Sequence, residues 1–257
     1  MASFGQIIFW GMIVLIFIIS GLIILILALA FSVSNGFVES SDLFPVGNLG
    51  QDVILHCRFN PSSGTGVKMN DVSITWEKKG LSGVVYQYKN GAAQLKDQNP
   101  LFTERTQLFT DFITLGNASL LLRSVRMEDA GVYQCSVSAP ASRGTISVHL
   151  RVAAFSAPTF TISNTSLTAE AQRWLPKPDV SWSDYAGNPL NASTHFYNNS
   201  AGILRIVSTL QDPVRMDDTY TCVIQNILVK AVSQATLTDD MIYSGCPSRY
   251  MNYRHWP

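Results

Sequence analysis

The chain has 257 residues, 47% of them apolar, and its eighteen basic residues balance eighteen acidic ones. Less an apolar leader, that length holds two domains of about a hundred residues each. Balanced charge without any Lys/Arg block offers no electrostatic grip on nucleic acid, which excludes that class of partner.

Residues 7–31 form an uncharged run of 25 residues, long enough to cross a bilayer core as a helix. Within it, Ala28-Leu29-Ala30 offers a small-x-small cleavage site, followed by polar residues 32–36. Residues 1–34 therefore read as a signal peptide, with an uncleaved signal anchor as the alternative. Both readings place the rest of the chain outside the cell, and in the second this segment is the membrane contact. The flanks lack Lys and Arg, so charge specifies orientation weakly.

Residues 37–152 read as short alternating strands separated by turn signals, an all-β pattern. Strands are expected over 53–59, 72–78, 84–89, 101–109, 118–123, 131–138 and 144–152, with a hairpin turn at Lys89-Asn90-Gly91. Trp76 stands nineteen residues after Cys57, and Asp129, Gly131 and Tyr133 run into Cys135. These offsets predict a variable-type immunoglobulin sandwich, with a Cys57–Cys135 bridge between facing sheets, Trp76 against it, and the Tyr133 hydroxyl tying the preceding turn to the backbone. In the chain-entropy model the bridge contributes about 4–5 kcal/mol, and it requires an oxidising compartment.

After a linker at residues 153–158, residues 154–240 read as a constant-type sandwich, carrying Trp182, a strand over 204–210, and Tyr220-Thr221-Cys222. The fold class is thus all-β, two tandem immunoglobulin β-sandwiches, variable-type then constant-type, after an N-terminal apolar helix. Residues 241–257 lack a periodic pattern and read as a disordered tail.

A variable-type domain followed by Arg173-Trp174-Leu175-Pro176-Lys177-Pro178-Asp179-Val180-Ser181-Trp182 resembles the butyrophilin-like T-cell co-signalling ligands of the immunoglobulin superfamily. Met1-Ala2-Ser3-Phe4-Gly5-Gln6, Gly116-Asn117-Ala118-Ser119-Leu120 and Ala154-Phe155-Ser156 carry the likeness further, over about residues 1–240. The resemblance implies a protein receptor on T cells, docked on the outward sheet of the first domain, and restraint of activation. It also implies that Arg105 pairs with Asp129 across the bottom of that domain, as a surface pair worth about 0–1 kcal/mol.

Two features depart from the family. The second-domain position expected to hold a cysteine, thirteen residues before Trp182, is Ala169, so Cys222 lacks its partner and the domain should be weaker by about 2–5 kcal/mol. Cys222 either packs as a small hydrophobe, pairs with Cys246, or one of these thiols bridges two copies. No apolar run follows Asp240, which leaves a secreted form, a truncated chain, or the leader as anchor.

Alternation sets the candidate receptor face. With Trp76, Tyr133 and Cys135 inward, Ser73, Thr75, Glu77, Gln134, Ser136 and Ser138 point outward. Val85 and Gln87 are expected to join them, with Arg143 on the rim as the strongest single contact. Tyr86 and Tyr88 are expected inward. Sequons mark Asn117, Asn164, Asn191 and Asn198 for glycosylation, three of them in the second domain. His56, His149, His195 and His255 stand in no metal-binding or catalytic spacing, and no phosphate loop appears, so the reading is a non-enzyme without cofactor or metal. Immunoglobulin-type adhesion, a soluble decoy, or recognition of microbial surfaces are the rival roles for the same fold.

Overall fold

The computed structural model describes residues 10, 12–13, 15–23, 38–61, 68–139, 142–163, 166–237, 242–243 and 251–252. The chain forms two compact units, residues 1–37 and 38–257. In the first, residues 10, 12–13 and 15–23 are α-helical with exposed apolar side chains. Among the described residues no helix is long and apolar enough to cross a membrane. The cleavage site proposed at Ala28-Leu29-Ala30 lies outside them.

The second unit begins with β1 (Val38–Glu39), β2 (Val46–Asn48), β3 (Val53–Leu55), β4 (Arg58–Phe59), β5 (Ser73–Lys78), β6 (Tyr86–Lys89), β7 (Ala92–Ala93), β8 (Thr106–Leu108), β9 (Leu120–Leu122), β10 (Gly131–Ala139) and β11 (Ser142–Ala153). One sheet runs β2-β11-β10-β5-β6-β7, and facing it are β3-β9-β8 and the pair β1-β4. The extra strands β6 and β7 beside β5 are the variable-type signature.

Local chemistry explains where this differs from the sequence pattern. The strand expected over 101–109 shrinks to β8, because Pro100–Phe102 forms a 3-10 turn with Pro100 inside its start. Asn99 caps that turn, its side chain accepting from the Leu101 N–H at 3.0 Å. The strand expected over 53–59 breaks between β3 and β4. The β6–β7 hairpin turns through Asn90 (φ 54°) and Gly91 (φ 78°), the left-handed pair of a type I′ turn.

From Ala153 the chain passes to β12 (Thr159–Ser163), β13 (Ser166–Trp174), β14 (Asp179–Ser183), β15 (Pro189–Leu190), β16 (Ala192–Asn198), β17 (Leu204–Leu210), β18 (Thr219–Gln225) and β19 (Val229–Leu237). One sheet is β12-β13-β17-β16 and the other carries β15-β14-β18-β19, the strand arrangement of a constant-type sandwich with a short extra edge. Ala153 and Ala154 are fully buried at the junction. There the Asn48 side chain works as a piece of strand backbone: its Nδ2 donates to Phe155 O (3.0 Å), and its Oδ1 accepts from Phe155 N (3.2 Å).

Beyond β19 lie β20 (Ile242–Tyr243) and β21 (Met251–Asn252), both paired antiparallel with β19. These two short pairings differ from the structureless tail expected over 241–257. Ladder bonds use backbone groups alone and so leave no hydropathy signal. Cys246 lies outside the described residues.

Candidate interaction face

The frame of the first sandwich is set by Cys57 and Cys135, which are bonded with Cα atoms 6.5 Å apart. Trp76, directly beside Cys135 in the β5–β10 register, is fully buried and donates its indole N–H to Ala118 O at 2.9 Å. The Tyr133 hydroxyl donates to Asp129 O at 2.8 Å. Burial, and secondarily the Asp129 charge, push that phenol far above its ordinary pKa, so it stays a donor.

Arg105 and Asp129 meet in a two-point ion pair, Nη1 to Oδ1 at 3.2 Å and Nη2 to Oδ2. This is a buried pair and not the surface pair expected from the resemblance: the two side chains are only 10% and 2% exposed. Burial follows from the turn around them. Arg105 also donates to the carbonyls of Leu101, Arg123 and Ser124, and Asp129 Oδ2 accepts from Arg126 N at 2.7 Å. Above the pair, burial holds the Lys78 amine below its ordinary pKa, opposed by the Asp129 and Glu128 charges, and its Nζ donates to Glu128 O.

With the inward residues fixed, strand register arranges the outward ones in rows. Arg143, Ser138 and Ser73 form one row; Thr145, Ser136, Thr75 and Gln87 form the next; Ser147, Gln134 and Glu77 form the third. Ser136 and Thr145 share a hydroxyl hydrogen bond of 3.1 Å, and Gln87 Nε2 donates to Thr75 Oγ1 at 3.5 Å. Glu77, Gln134, Arg143, Thr145, Ser147 and His149 are exposed, and the remaining row members are half-buried. A mostly uncharged polar surface results, with Glu77 and Arg143 as its charged members. Such a surface can bind through shape and hydrogen bonds.

Val85 does not belong to it. It is 1% exposed, because regular β5–β6 pairing starts at Tyr86 and the segment before it is folded under residues 98–106. Gln98 Nε2 donates to the Val85 carbonyl at 2.9 Å and also to Thr106 Oγ1, closing that edge. Tyr86 and Tyr88 are buried. Thr145, Ser147 and His149 on β11 are face residues that the sequence reading missed. The signal was present, since buried Val148 and Leu150 set the same alternation on that strand. At one end of the face, Glu77, Leu81, Val84, Val132 and His149 help line a hollow of about 650 Å³.

The second sandwich has its own pin. Trp182 is buried and donates to Ser208 Oγ at 2.9 Å, and Ser208 in turn shares a bond with Thr194 at 2.8 Å. The Tyr220 hydroxyl accepts from Arg215 N at 2.9 Å. Among the described residues Cys222 is a buried free thiol, its pKa pushed up to about 12 by burial. Ala169 lies in the same core cluster, 1% exposed. Of the sequons, Asn191 and Asn198 are exposed at the two ends of β16, Asn117 is half-buried, and Asn164 lies outside the described residues.

The immunoglobulin V-set domain family matches residues 44–153. V-set domain-containing T-cell activation inhibitor 1 of Rattus norvegicus is 36% identical over 251 residues, covering 94% of this chain and 87% of that protein. The Homo sapiens protein of the same name is 35% identical with the same coverage. A crystal structure of the human B7-H4 IgV-like domain, 35% identical, covers 45% of this chain and 95% of that one, with a TM-score of 0.42. The chain is a non-enzymatic, immunoglobulin-type protein of the extracellular side, and it belongs to the family of V-set domain-containing T-cell activation inhibitor 1.

Proposed function

We propose that this chain is a co-inhibitory ligand, displayed at or shed from the cell surface, whose variable-type domain presents the β11-β10-β5-β6 face to a receptor on T cells. The observation that carries the reading is the register itself. It collects Ser73, Thr75, Glu77, Gln87, Gln134, Ser136, Ser138 and Arg143 into adjoining rows on one side of one sheet. Two sequons stand exposed on β16 of the other sandwich, so sugars there would shield the second domain and leave the first as the freer contact surface. Arg143, exposed at the start of β11, is the proposed anchor at the rim.

The test is proliferation of receptor-stimulated T cells on plates coated with the chain from residue 36 to 240, beside the same chain carrying Arg143→Glu and Gln87→Glu. Suppression by the first and loss of suppression by the second, at unchanged thermal stability, is the expected result. Equal suppression by both, with the double variant folded, refutes the face. Increased proliferation reverses the sign of the signal, and no effect from the unaltered chain points to adhesion.

A further inference from the structure

The sequon Asn117-Ala118-Ser119 occupies an unusual place for a modification signal. Ala118 N donates to Cys57 O at 2.9 Å, Ser119 Oγ accepts from Cys57 N at 3.2 Å, and Ser119 Oγ lies 3.3 Å from Cys57 O. The indole of Trp76 donates to Ala118 O, and Ser119 N donates to Asn117 Oδ1 at 2.9 Å. Ala118 and Ser119 are 0% and 3% exposed. The hydroxyl that identifies the sequon is therefore sealed against the strand segment that carries half of the disulfide. Asn117 itself is half-buried, and among the described residues its side chain bonds through Oδ1, with no hydrogen-bond partner on Nδ2. Asn191 and Asn198 differ, because Ser193 and Ser200 of their sequons are exposed.

We infer that Asn117 is a fold-gated glycan acceptor, open to modification only before the segment around Cys57 docks onto Ala118 and Ser119. Transfer forms a bond from Asn117 Nδ2 to the anomeric carbon of the sugar. It breaks the bond from that carbon to the pyrophosphate of a lipid-linked oligosaccharide, and one Nδ2 proton passes to a base of the transferase as the lipid pyrophosphate leaves. Cys135 follows Asn117 in the chain, so the window for transfer opens before the bridge can close. Occupancy at Asn117 thus records how long the first domain stayed open, whereas the β16 sites carry no such record.

The experiment uses full-length chain made without glycans, in two forms: oxidised and folded, or reduced, alkylated and unfolded. Each is incubated with purified oligosaccharyltransferase and lipid-linked oligosaccharide, and initial rates at each asparagine are read by peptide mass spectrometry. The rate at Asn117 should fall at least about a hundredfold from unfolded to folded chain, because exposing Ser119 requires opening core strands. Asn191 and Asn198 should fall far less. Equal folded-to-unfolded ratios at the three sites overturn the gate, and so does an unfolded chain that fails to accept at Asn117.

Discussion

Replacing Asp129 with alanine removes the only counter-charge that the buried Arg105 guanidinium holds among the described residues, and the cost can be worked from the geometry. Arg105 would keep three carbonyl partners, at Leu101, Arg123 and Ser124, but lose both carboxylate bonds, and Arg126 N would lose its acceptor. Breaking a buried pair by removing one partner costs about 3–5 kcal/mol, mainly because the surviving charge is stranded. For a domain of this size that lowers Tm by about 10–20 °C. Urea unfolding of the disulfide-intact chain, followed by tryptophan fluorescence, measures it directly, and Arg105→Met with Asp129→Leu should recover much of the loss, since neither charge remains. A cost for Asp129→Ala below about 1 kcal/mol, or one that vanishes in high salt, is the behaviour of an exposed pair and would refute the reasoning.

Ala169→Cys should form a bridge with Cys222, whose side chain shares its core, and close a loop of about fifty residues; the chain-entropy model gives about 4 kcal/mol. A free thiol persisting after oxidation, or no rise in the unfolding midpoint, counts against it. The raised Cys222 pKa makes a pH prediction: below the ordinary value of 9.0 both states hold the proton, and as pH rises toward about 12 the unfolded chain releases it first. Stability from this group is therefore present below pH 9 and lost above it, by about 1.4 kcal/mol per pH unit, relative to a Cys222→Ala chain; parallel curves for the two chains would exclude it. Val85→Ala should cost about 2 kcal/mol and leave receptor binding by the folded chain unaltered, as a buried residue off the face requires; weakened binding at full stability would return Val85 to the surface.

Much of the frame was legible because its signals are local and periodic. Cys57, Trp76, Tyr133 and Cys135 stand at offsets that few other arrangements produce, and period-two alternation then sorts Gln134, Ser136 and Ser138 to the side opposite the core. The same rule applied to β11 would have added Thr145, Ser147 and His149. It failed at Val85, where alternation was extended past the end of regular pairing into a segment covered by residues distant in sequence.

The sequence by itself determined the two-sandwich architecture, the Cys57–Cys135 bridge and the alternation of the candidate face, because each is written in residue type and spacing. Only the tertiary structure decided how deeply those residues are covered. Asp129 and Arg105 are sealed by the turns at Leu101 and Ser124, Val85 by Gln98, and the Ser119 hydroxyl by Cys57, sixty-two residues away. Apart from the local turn at Leu101, the covering comes from other segments of the chain, and a pattern confined to one strand carries no record of what packs across it.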